Sequence, residues 1–262
     1  MSADSYPYDL SIVVPVYNEE SRLEDGLRRM MDFGRTFDGK LQIVVSDDGS
    51  RDRTAAMARE ILADYPHHLV LDAPVNRGKG HAVKVGMLAA RGAYRLFTDI
   101  DLSVPIETAN RFYKLGRDGA PVVIGTRKVR QANVEIRQPF YRELMGGVFR
   151  WTSRFLCAPS VTDFTCGFKL FNAQATRAIF RQSVIERWSF DAEIMFIAHR
   201  MDYQIIQVPV VWRNSEDSRV RVGVDAINSF VELMQIRAHD LMGQYSYSTT
   251  KGDPPDDPIE SL

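Results

Sequence analysis

The sequence predicts an α/β protein with a mostly parallel central sheet and helices on both of its faces. Short apolar runs alternate with helical patterns, and polar connections separate them. A chain of 262 residues is long enough to bury a large core. Because no second alternating set follows residue 125, we expect the second half to continue the same domain.

Five apolar runs in the first half are expected to form strands, because each is short and bounded by polar or turn-forming residues. They lie at residues 10–17, 41–46, 68–73, 94–99 and 121–125. The helical patterns between them cover 19–34, a stretch ending near Tyr65, a segment after the glycine-rich residues 76–80, and 106–116. Asn18 is a candidate cap for the first of these helices.

The second half of the chain is expected to be mainly helical. Helical patterns fall at residues 140–156, 173–182, 189–200 and 225–242, with a loop at 160–171 and one strand at 204–212. The final residues are acidic and rich in proline, a composition typical of disorder.

Composition and charge argue against several classes of protein. The chain has 33 basic and 34 acidic residues, so its net charge of −1 suggests no nucleic-acid partner. The start has no basic region followed by an apolar run, and no apolar stretch reaches about 18 residues, so we expect no secretory signal and no transmembrane helix. Cys157 and Cys166 fit no metal or redox spacing and indicate reduced thiols in a cytoplasmic protein.

Two carboxylates, Asp99 and Asp101, end the fourth predicted strand. Residues i and i+2 of a strand point to the same side, and the carboxyl ends of parallel strands are where open α/β sheets bind ligands. The repulsion between the two acids requires a nearby cation or hydrogen-bond donors. A divalent ion shared with substrate phosphates fits this pair. The alternative is a solvated turn in which Asp101 caps the next helix.

The ends of the second and third predicted strands carry groups that suit a nucleotide. Asp47 and Asp48 could accept hydrogen bonds from a base or from ribose hydroxyls, although Asp-Gly is also turn chemistry. Arg77 and Lys79 lie in a glycine-rich loop at the start of a helix, an arrangement that suits a diphosphate. An exposed turn would explain either loop alone. Because four successive strand ends should converge on one edge of the sheet, together they favour a nucleotide site.

Five segments carry a resemblance to a known family. They are "SIVVPVYNEE", "VVSDDGSRDRT", "NRGKGHAVKVGM", "TDIDLS" and "TDFTCGFKLF". Together they resemble family 2 inverting glycosyltransferases with the GT-A fold, and within them the branch that makes polyprenyl-phosphate sugars. "NRGKGHAV", and "TCGFKLF" followed by "WSFDAEI", are most similar to dolichyl-phosphate beta-glucosyltransferases. The resemblance covers roughly residues 10–222.

The resemblance implies roles for the matching residues. Asp99 and Asp101 match the metal-binding Asp-x-Asp pair, with Asp101 in direct contact with the ion, and Ser103 stands where some relatives have an amide ligand. The positions that match the nucleotide-sugar site are Pro15, Tyr17, Glu19, Asp47, Asp48, Arg77, Lys79 and Asp99. The positions that match acceptor or phosphate sites are Arg127, Arg142 and Arg213.

Three acids are candidates for a direct role in catalysis besides Asp101. By its place in the family motif, Asp163 is the candidate base or acceptor-orienting group, and Asp191 and Glu193 are further candidates. In a helix, residues i and i+2 do not face the same way, so we expect one of the latter two to face the site. The alternative for Asp191 is a structural role, in which its charge stabilises the N-terminal end of a helix near Ser189. A phosphate acceptor is already largely ionised at pH 7 and needs no base.

Two predicted amphipathic helices are candidates for contact with a lipid-linked acceptor or the membrane. In the predicted helix 140–156, apolar and aromatic residues accompany Arg142, Arg150 and Arg154, a pattern typical of a helix that faces anionic lipid. A core helix with arginines reaching to solvent is the alternative. For the helix at 224–242, docking on the domain, dimerisation and contact with the bilayer all stay open.

The expected function is transfer of a hexose, with glucose from UDP-glucose as the expected case, to a polyprenyl phosphate. We expect a Mg²⁺ or Mn²⁺ cofactor, and peripheral association with the cytoplasmic face of a membrane. Three alternatives stay open: a mannose transferase that uses GDP-mannose, a cytosolic transferase with a soluble or polysaccharide hydroxyl acceptor, and a binding module without turnover. The expected division is a tail over 1–9, the GT-A domain over 10–222, an amphipathic helix over 223–243 and a disordered acidic tail over 244–262.

Overall fold

A seven-stranded sheet forms the centre of the computed structural model, which describes residues 6–127, 152–154, 156–213 and 224–247. The strands are β1 Tyr8–Val16, β2 Leu41–Asp47, β3 His68–Asp72, β4 Gly92–Thr98, β5 Val122–Thr126, β6 Phe168–Asn172 and β7 Ile205–Pro209. The helices are α1 Leu23–Thr36, α2 Thr54–Leu62, α3 Lys79–Ala89, α4 Thr108–Arg117, α5 Ala173–Phe180, α6 Phe190–Arg200 and α7 Val224–Leu241. None of the helices in these ranges is both long and apolar enough to cross a membrane.

The sheet has the strand order β3-β2-β1-β4-β6-β5-β7. β6 runs antiparallel to both of its neighbours, β4 and β5, and every other pair is parallel. The carboxyl ends of β1, β2, β3 and β4 therefore meet at one edge, called here the carboxyl edge. This arrangement confirms the predicted mostly parallel sheet.

The sequence prediction missed β6, which it placed in the loop 160–171. The strand is only five residues long, and a lysine, Lys169, interrupts its apolar pattern. Lys169 is nevertheless fully buried, because its ammonium group is paired with a carboxylate from α6. Tertiary pairing thus allows a charge in a strand that local pattern alone would not favour.

The predicted cap at Asn18 is also wrong. α1 begins at Leu23, with Arg22 at the capping position. Asn18 has a positive φ of 52°, and its Oδ1 accepts a hydrogen bond from the backbone N–H of Arg51 at 2.8 Å. Its side chain therefore joins two loops of the carboxyl edge.

Most of the predicted helix 140–156, including Arg142 and Arg150, lies outside the described residues.

Two apolar clusters cover the two faces of the sheet. Alternate residues of β1 point to opposite faces, so that Ile12 and Val14 enter one cluster and Val13 enters the other. The first cluster includes residues of α1, α2 and α4. The second includes residues of α3, α5, α6 and α7. The helices that start beside the carboxyl edge, α3 and α6, thus share one face with the C-terminal helix.

We predict that Gly26→Ala destabilises the fold. A Cβ at residue 26 would lie closer than van der Waals contact to the backbone carbonyl oxygen of Ile100, which lies between Asp99 and Asp101. Urea denaturation should show a loss of about 1–3 kcal/mol, although Ala is the better helix former. On the same helix, exposed Arg28 is the control, and Arg28→Ala should change stability by less than about 0.5 kcal/mol. An unchanged or higher urea midpoint for Gly26→Ala would contradict the close packing.

Candidate functional site

Loops that follow β1 and β2 are tied together at the carboxyl edge. The backbone N–H of Asn18 donates to Ser50 Oγ at 2.8 Å, and the N–H of Glu19 donates to Thr54 Oγ1 at 2.8 Å. Asp47 accepts from the backbone N–H of Ser50 at 2.8 Å and also from its hydroxyl. These bonds use side chains of the motif itself, so the polar residues of the two loops also build the loops' shape.

Asp48 is the organising carboxylate of the glycine-rich loop, defined as residues 76–80. It is 2% exposed and accepts from Asn76 Nδ2 at 2.7 Å, from the N–H of Gly78 at 2.7 Å and from the N–H of Arg77 at 3.2 Å. Burial raises the pKa of the Asp48 carboxyl and outweighs the backbone N–H groups of Arg77 and Gly78 and the nearby His81, 3.6 Å away, which act in the opposite direction. The geometry therefore gives Asp48 a role in shaping the loop that the sequence had assigned to the diphosphate.

The other residues expected around the base lie where β1 ends. Pro15 belongs to β1 and pairs in register with Ser46 of β2. Tyr17 follows the strand and is half-buried. Glu19 is buried and pairs with Arg22, whose Nη2 donates to Glu19 Oε1 at 2.9 Å. The structure thus brings Pro15, Tyr17 and Glu19 to the same edge as Asp47 and Asp48.

Lys79 connects the glycine-rich loop to the acidic pair. It is the first residue of α3, and its Nζ lies 2.5 Å from Asp99 Oδ1. Burial lowers the pKa of Lys79, but the carboxylates of Asp99, Asp191 and Asp101 outweigh burial and raise it. The ammonium group therefore stays charged at neutral pH. Arg77 is half-exposed and forms an ion pair with Glu186.

Asp99 and Asp101 lie beside a small pocket at the end of β4. Asp101 accepts from the N–H of Ser103 at 2.9 Å and does not cap the next helix, which begins at Thr108. Gly167 packs against Asp99 so closely that a Cβ there would overlap the carboxylate. The pocket is lined by Thr98, Asp99, Asp101, Ser103, Val104, Gly167 and Trp212.

The acidic pair fits a divalent cation that is completed by substrate. Both carboxylates are partly exposed, and Asp101 keeps oxygen atoms available to the pocket. Within the described ranges, no group of three or more His, Cys, Asp or Glu residues could hold a metal ion by itself. Mg²⁺ and similar hard ions are commonly held by one or two carboxylates together with waters and substrate phosphates. The donor set therefore suits an ion that binds together with a diphosphate.

Asp163 is buried and forms a bidentate pair with Arg127, whose side chain is partly exposed. Arg127 Nε donates to Asp163 Oδ2 and Nη2 donates to Oδ1, both at 2.9 Å, and the backbone N–H of Arg127 adds a bond at 3.0 Å. Asp163 is fully buried; burial alone would raise its pKa, but Arg127 lowers it to about 2. The guanidinium also lies over the ring of Trp212, which lines the pocket, at 5.4 Å. A carboxylate held in this way is a weak base.

Asp191 and Glu193 face different surroundings, as expected from their spacing. Asp191 accepts from Lys169 and lies close enough to Lys79 to be stabilised by its charge, although burial raises its pKa. Glu193 accepts from the N–H groups of Val184 at 2.8 Å and Ile185 at 2.9 Å, so its carboxylate is used by the backbone.

Arg213 is exposed, and its backbone N–H donates to Ser103 O at 2.9 Å, which places it next to the pocket. Arg142 lies outside the described residues.

Sequence reasoning missed Lys169, Glu186 and Gly167 as parts of the site. A lysine in an otherwise apolar run was the available signal for Lys169, whereas no local pattern marks the other two.

Comparison with known proteins identifies the family. The model of glycosyl transferase family 2 matches residues 11–188, more than half of the chain. A dolichyl-phosphate beta-glucosyltransferase from Dictyostelium discoideum is 32% identical, with 89% of this chain and 75% of the relative covered. Enzymes with the same name from Saccharomyces cerevisiae and Homo sapiens are 32% identical, over 90% of this chain and 76% of theirs, and 30% identical, over 95% and 81%.

Solved structures confirm the fold. Glucosyl-3-phosphoglycerate synthase from Mycobacterium tuberculosis, solved with UDP, matches with a TM-score of 0.63 and 19% identity over 88% of this chain and 81% of that chain. Another structure of that synthase contains Mn²⁺ and UDP and matches with a TM-score of 0.59 and 20% identity, over 88% and 80%. Residues 1–349 of S. aureus TarS match with a TM-score of 0.56 and 17% identity, over 89% and 65%. The GT-A fold, the family model and the curated relatives agree: the chain belongs to glycosyl transferase family 2.

Proposed function

We propose that this glycosyltransferase moves glucose from UDP-glucose to a polyprenyl phosphate at a membrane surface. The observation that carries the proposal is the convergence of Asp48, Lys79, Asp99 and Asp101 at the carboxyl edge, where a nucleotide diphosphate and its cation would be held. The sugar and the acceptor class are taken from the names of the curated relatives. The uridine base has its support in the neighbours solved with UDP.

Asp101 and Asp99 would hold Mg²⁺ or Mn²⁺, the latter being the ion in a structural neighbour. When bound, such an ion neutralises charge that develops on the departing diphosphate. Lys79 adds a fixed positive charge beside Asp99, and Arg77 adds a second at the start of α3. These residues would stabilise the leaving group in an inverting displacement at the anomeric carbon.

A phosphate acceptor changes what the remaining residues must do. Its oxygen is largely ionised at pH 7 and attacks the anomeric carbon without losing a proton, while the bond from that carbon to the diphosphate breaks. The protein's contribution is then mainly positioning. We assign Asp163 to the orientation of Arg127, because its pKa of about 2 and its bidentate pairing make it a poor base. For an acceptor that must be deprotonated we assign the base to Asp191, which lies near Lys79 and Asp99 and whose pKa is raised by burial, although its carboxylate also accepts from Lys169.

The exposed surface of α7 supports the proposed contact with a membrane. Phe230, Val231 and Met234 are each about half exposed, and Leu241 is 83% exposed, while Leu233 and Ile236 on the opposite side are fully buried. One face of the helix therefore packs on the domain, and the other presents an apolar stripe. A lipid-linked acceptor is itself at the membrane surface, so a helix that binds the surface would bring the enzyme to its substrate.

The proposed function is tested by a donor and acceptor matrix. With Mg²⁺ present, labelled UDP-glucose and polyprenyl phosphate in lipid vesicles should give a product that extracts into organic solvent, and the enzyme should sediment with the vesicles. GDP-mannose should give little product. Greater transfer from GDP-mannose would favour the mannose alternative, and transfer only to soluble hydroxyl acceptors would contradict the lipid acceptor.

We predict that Asp101→Asn lowers transfer by about 100-fold or more, because it removes a charge from the cation and diphosphate site. The measurement is kcat at saturating Mg²⁺ and UDP-glucose. Asp72→Asn is the matched control, because Asp72 also ends a strand at the carboxyl edge but pairs with Arg59 on the surface. Equal activity of the two variants would argue against the proposed metal site.

The Asp163–Arg127 pair predicts a dependence of stability on pH. A carboxylate with a folded-state pKa of about 2, below the ordinary 3.8, stabilises the fold fully above pH 4 and loses that effect as the pH falls towards 2. Its contribution at neutral pH is about 2 kcal/mol.

Asp163→Asn should therefore lower the free energy of unfolding at pH 7 by about 2 kcal/mol, since it removes the charge that pairs with Arg127, whose guanidinium keeps its hydrogen bond to Thr165 Oγ1 at 2.8 Å. It should also flatten the loss of stability between about pH 4 and pH 2. Urea denaturation across this range provides the measurement. Wild-type stability together with lost transfer would instead assign Asp163 to catalysis.

A further inference from the structure

The glycine-rich loop is held from outside by a second loop, residues 183–189. The carbonyl oxygen of Glu186 accepts from the N–H of His81 at 3.1 Å, and the Glu186 carboxylate pairs with Arg77. A Cβ added at Gly78 would meet Glu186 O at 2.5 Å, and one added at Gly80 would meet Ile185 O at 2.6 Å. The two backbones are therefore in direct contact, and a shift of the 183–189 loop would displace the start of α3.

The 183–189 loop is in turn fixed by a buried carboxylate, Glu193. Both of its oxygens are used: Oε1 accepts from the N–H of Val184 at 2.8 Å and Oε2 from the N–H of Ile185 at 2.9 Å. Glu193 is fully buried and Ile185 is 7% exposed, so loss of the carboxylate would leave the N–H of Ile185 without its acceptor in a buried place. The loop thus depends on Glu193 for its position.

The C-terminal segment, residues 224–247, makes two further bonds to the same region. Tyr245 Oη donates to Glu193 Oε1 at 2.8 Å. Glu232 of α7 accepts from the N–H of Ser189 at 2.9 Å, next to the first turn of α6 that carries Asp191. Both contacts end on residues that shape the donor site, although the segment lies outside the matched family region at 11–188.

We propose that Glu193, Tyr245 and Glu232 are positioning residues that couple the C-terminal segment to the glycine-rich loop and so set affinity for the nucleotide diphosphate. The coupling runs from α7 and Tyr245 through the 183–189 loop to Gly78 and His81. Docking of α7, for example on a lipid surface, would then act directly on the donor site. The inference about affinity rests on the proposed function, because it takes the glycine-rich loop as the diphosphate site.

The test compares two buried tyrosines that differ in what they reach. Tyr245→Phe removes the hydroxyl bonded to Glu193, whereas Tyr65→Phe removes one bonded to Leu41 O at 2.9 Å, at the end of β2 opposite the carboxyl edge. The tyrosines are 5% and 7% exposed, so each change removes one buried hydrogen bond, and urea denaturation of both variants measures its cost in stability separately from ligand binding. Calorimetry with UDP and Mg²⁺ should show binding about fivefold weaker for Tyr245→Phe and unchanged for Tyr65→Phe.

Glu232 provides a second pair of variants, on a partly exposed position that is expected to tolerate change. Glu232→Ala removes the acceptor for Ser189 and should weaken UDP binding, whereas Glu232→Gln keeps a carbonyl oxygen and should restore it. Steady-state kinetics should place the loss in the KM for the donor, with a smaller change in kcat. Equal binding by all four variants and wild type would overturn the proposal.

Hydrogen exchange of the amides of residues 76–82 separates failure of this inference from failure of the proposed function. Faster exchange there in Tyr245→Phe than in Tyr65→Phe supports the coupling whatever the ligand is. If the wild-type protein does not bind UDP, the proposed function fails. If exchange in this segment is the same in both variants, the inference fails even though UDP binds.

Discussion

The site depends on the neutralisation of carboxylates that are crowded into one edge of a sheet. Charges withdrawn from water are costly unless each has a partner. Here Lys79 pairs with Asp99, Arg127 with Asp163, and backbone donors with Asp48. Because every pairing joins residues distant in sequence, the acids and cations fix the loops relative to one another. The charges that suit the site to a nucleotide sugar also maintain its shape.

This constraint explains why two residues of the sequence motifs, Asp48 and Asp163, have a structural role. Asp48 stays a predicted contact of the nucleoside, and its oxygens also hold the backbone of the glycine-rich loop. Asp163, predicted as a base or an acceptor-orienting group, holds a guanidinium against Trp212. In both cases a short motif identifies where a carboxylate is needed, while its partners decide what it does.

The sequence was sufficient for those features that local pattern determines. The alternation of apolar runs and helices gave the parallel part of the sheet, and the strand ends gave the position of Asp99, Asp101 and the glycine-rich loop. It was not sufficient for features that depend on pairing between distant segments. β6 was missed because Lys169 interrupts the apolar pattern that would indicate a strand. The contact of Glu186 with the glycine-rich loop was missed because neither segment carries a sequence pattern that predicts it.

The reversed strand β6 has a consequence for how the chain acquires its fold during synthesis. β5 pairs with β6 and β7, and both come later in the chain. A nascent chain that ends after residue 126 therefore contains β5 with no neighbour, whereas β1 to β4 can already associate. The sheet can be completed only after about 80 further residues have been synthesised. During this interval an apolar sheet edge is exposed to other chains, which is the kind of surface that chaperones bind.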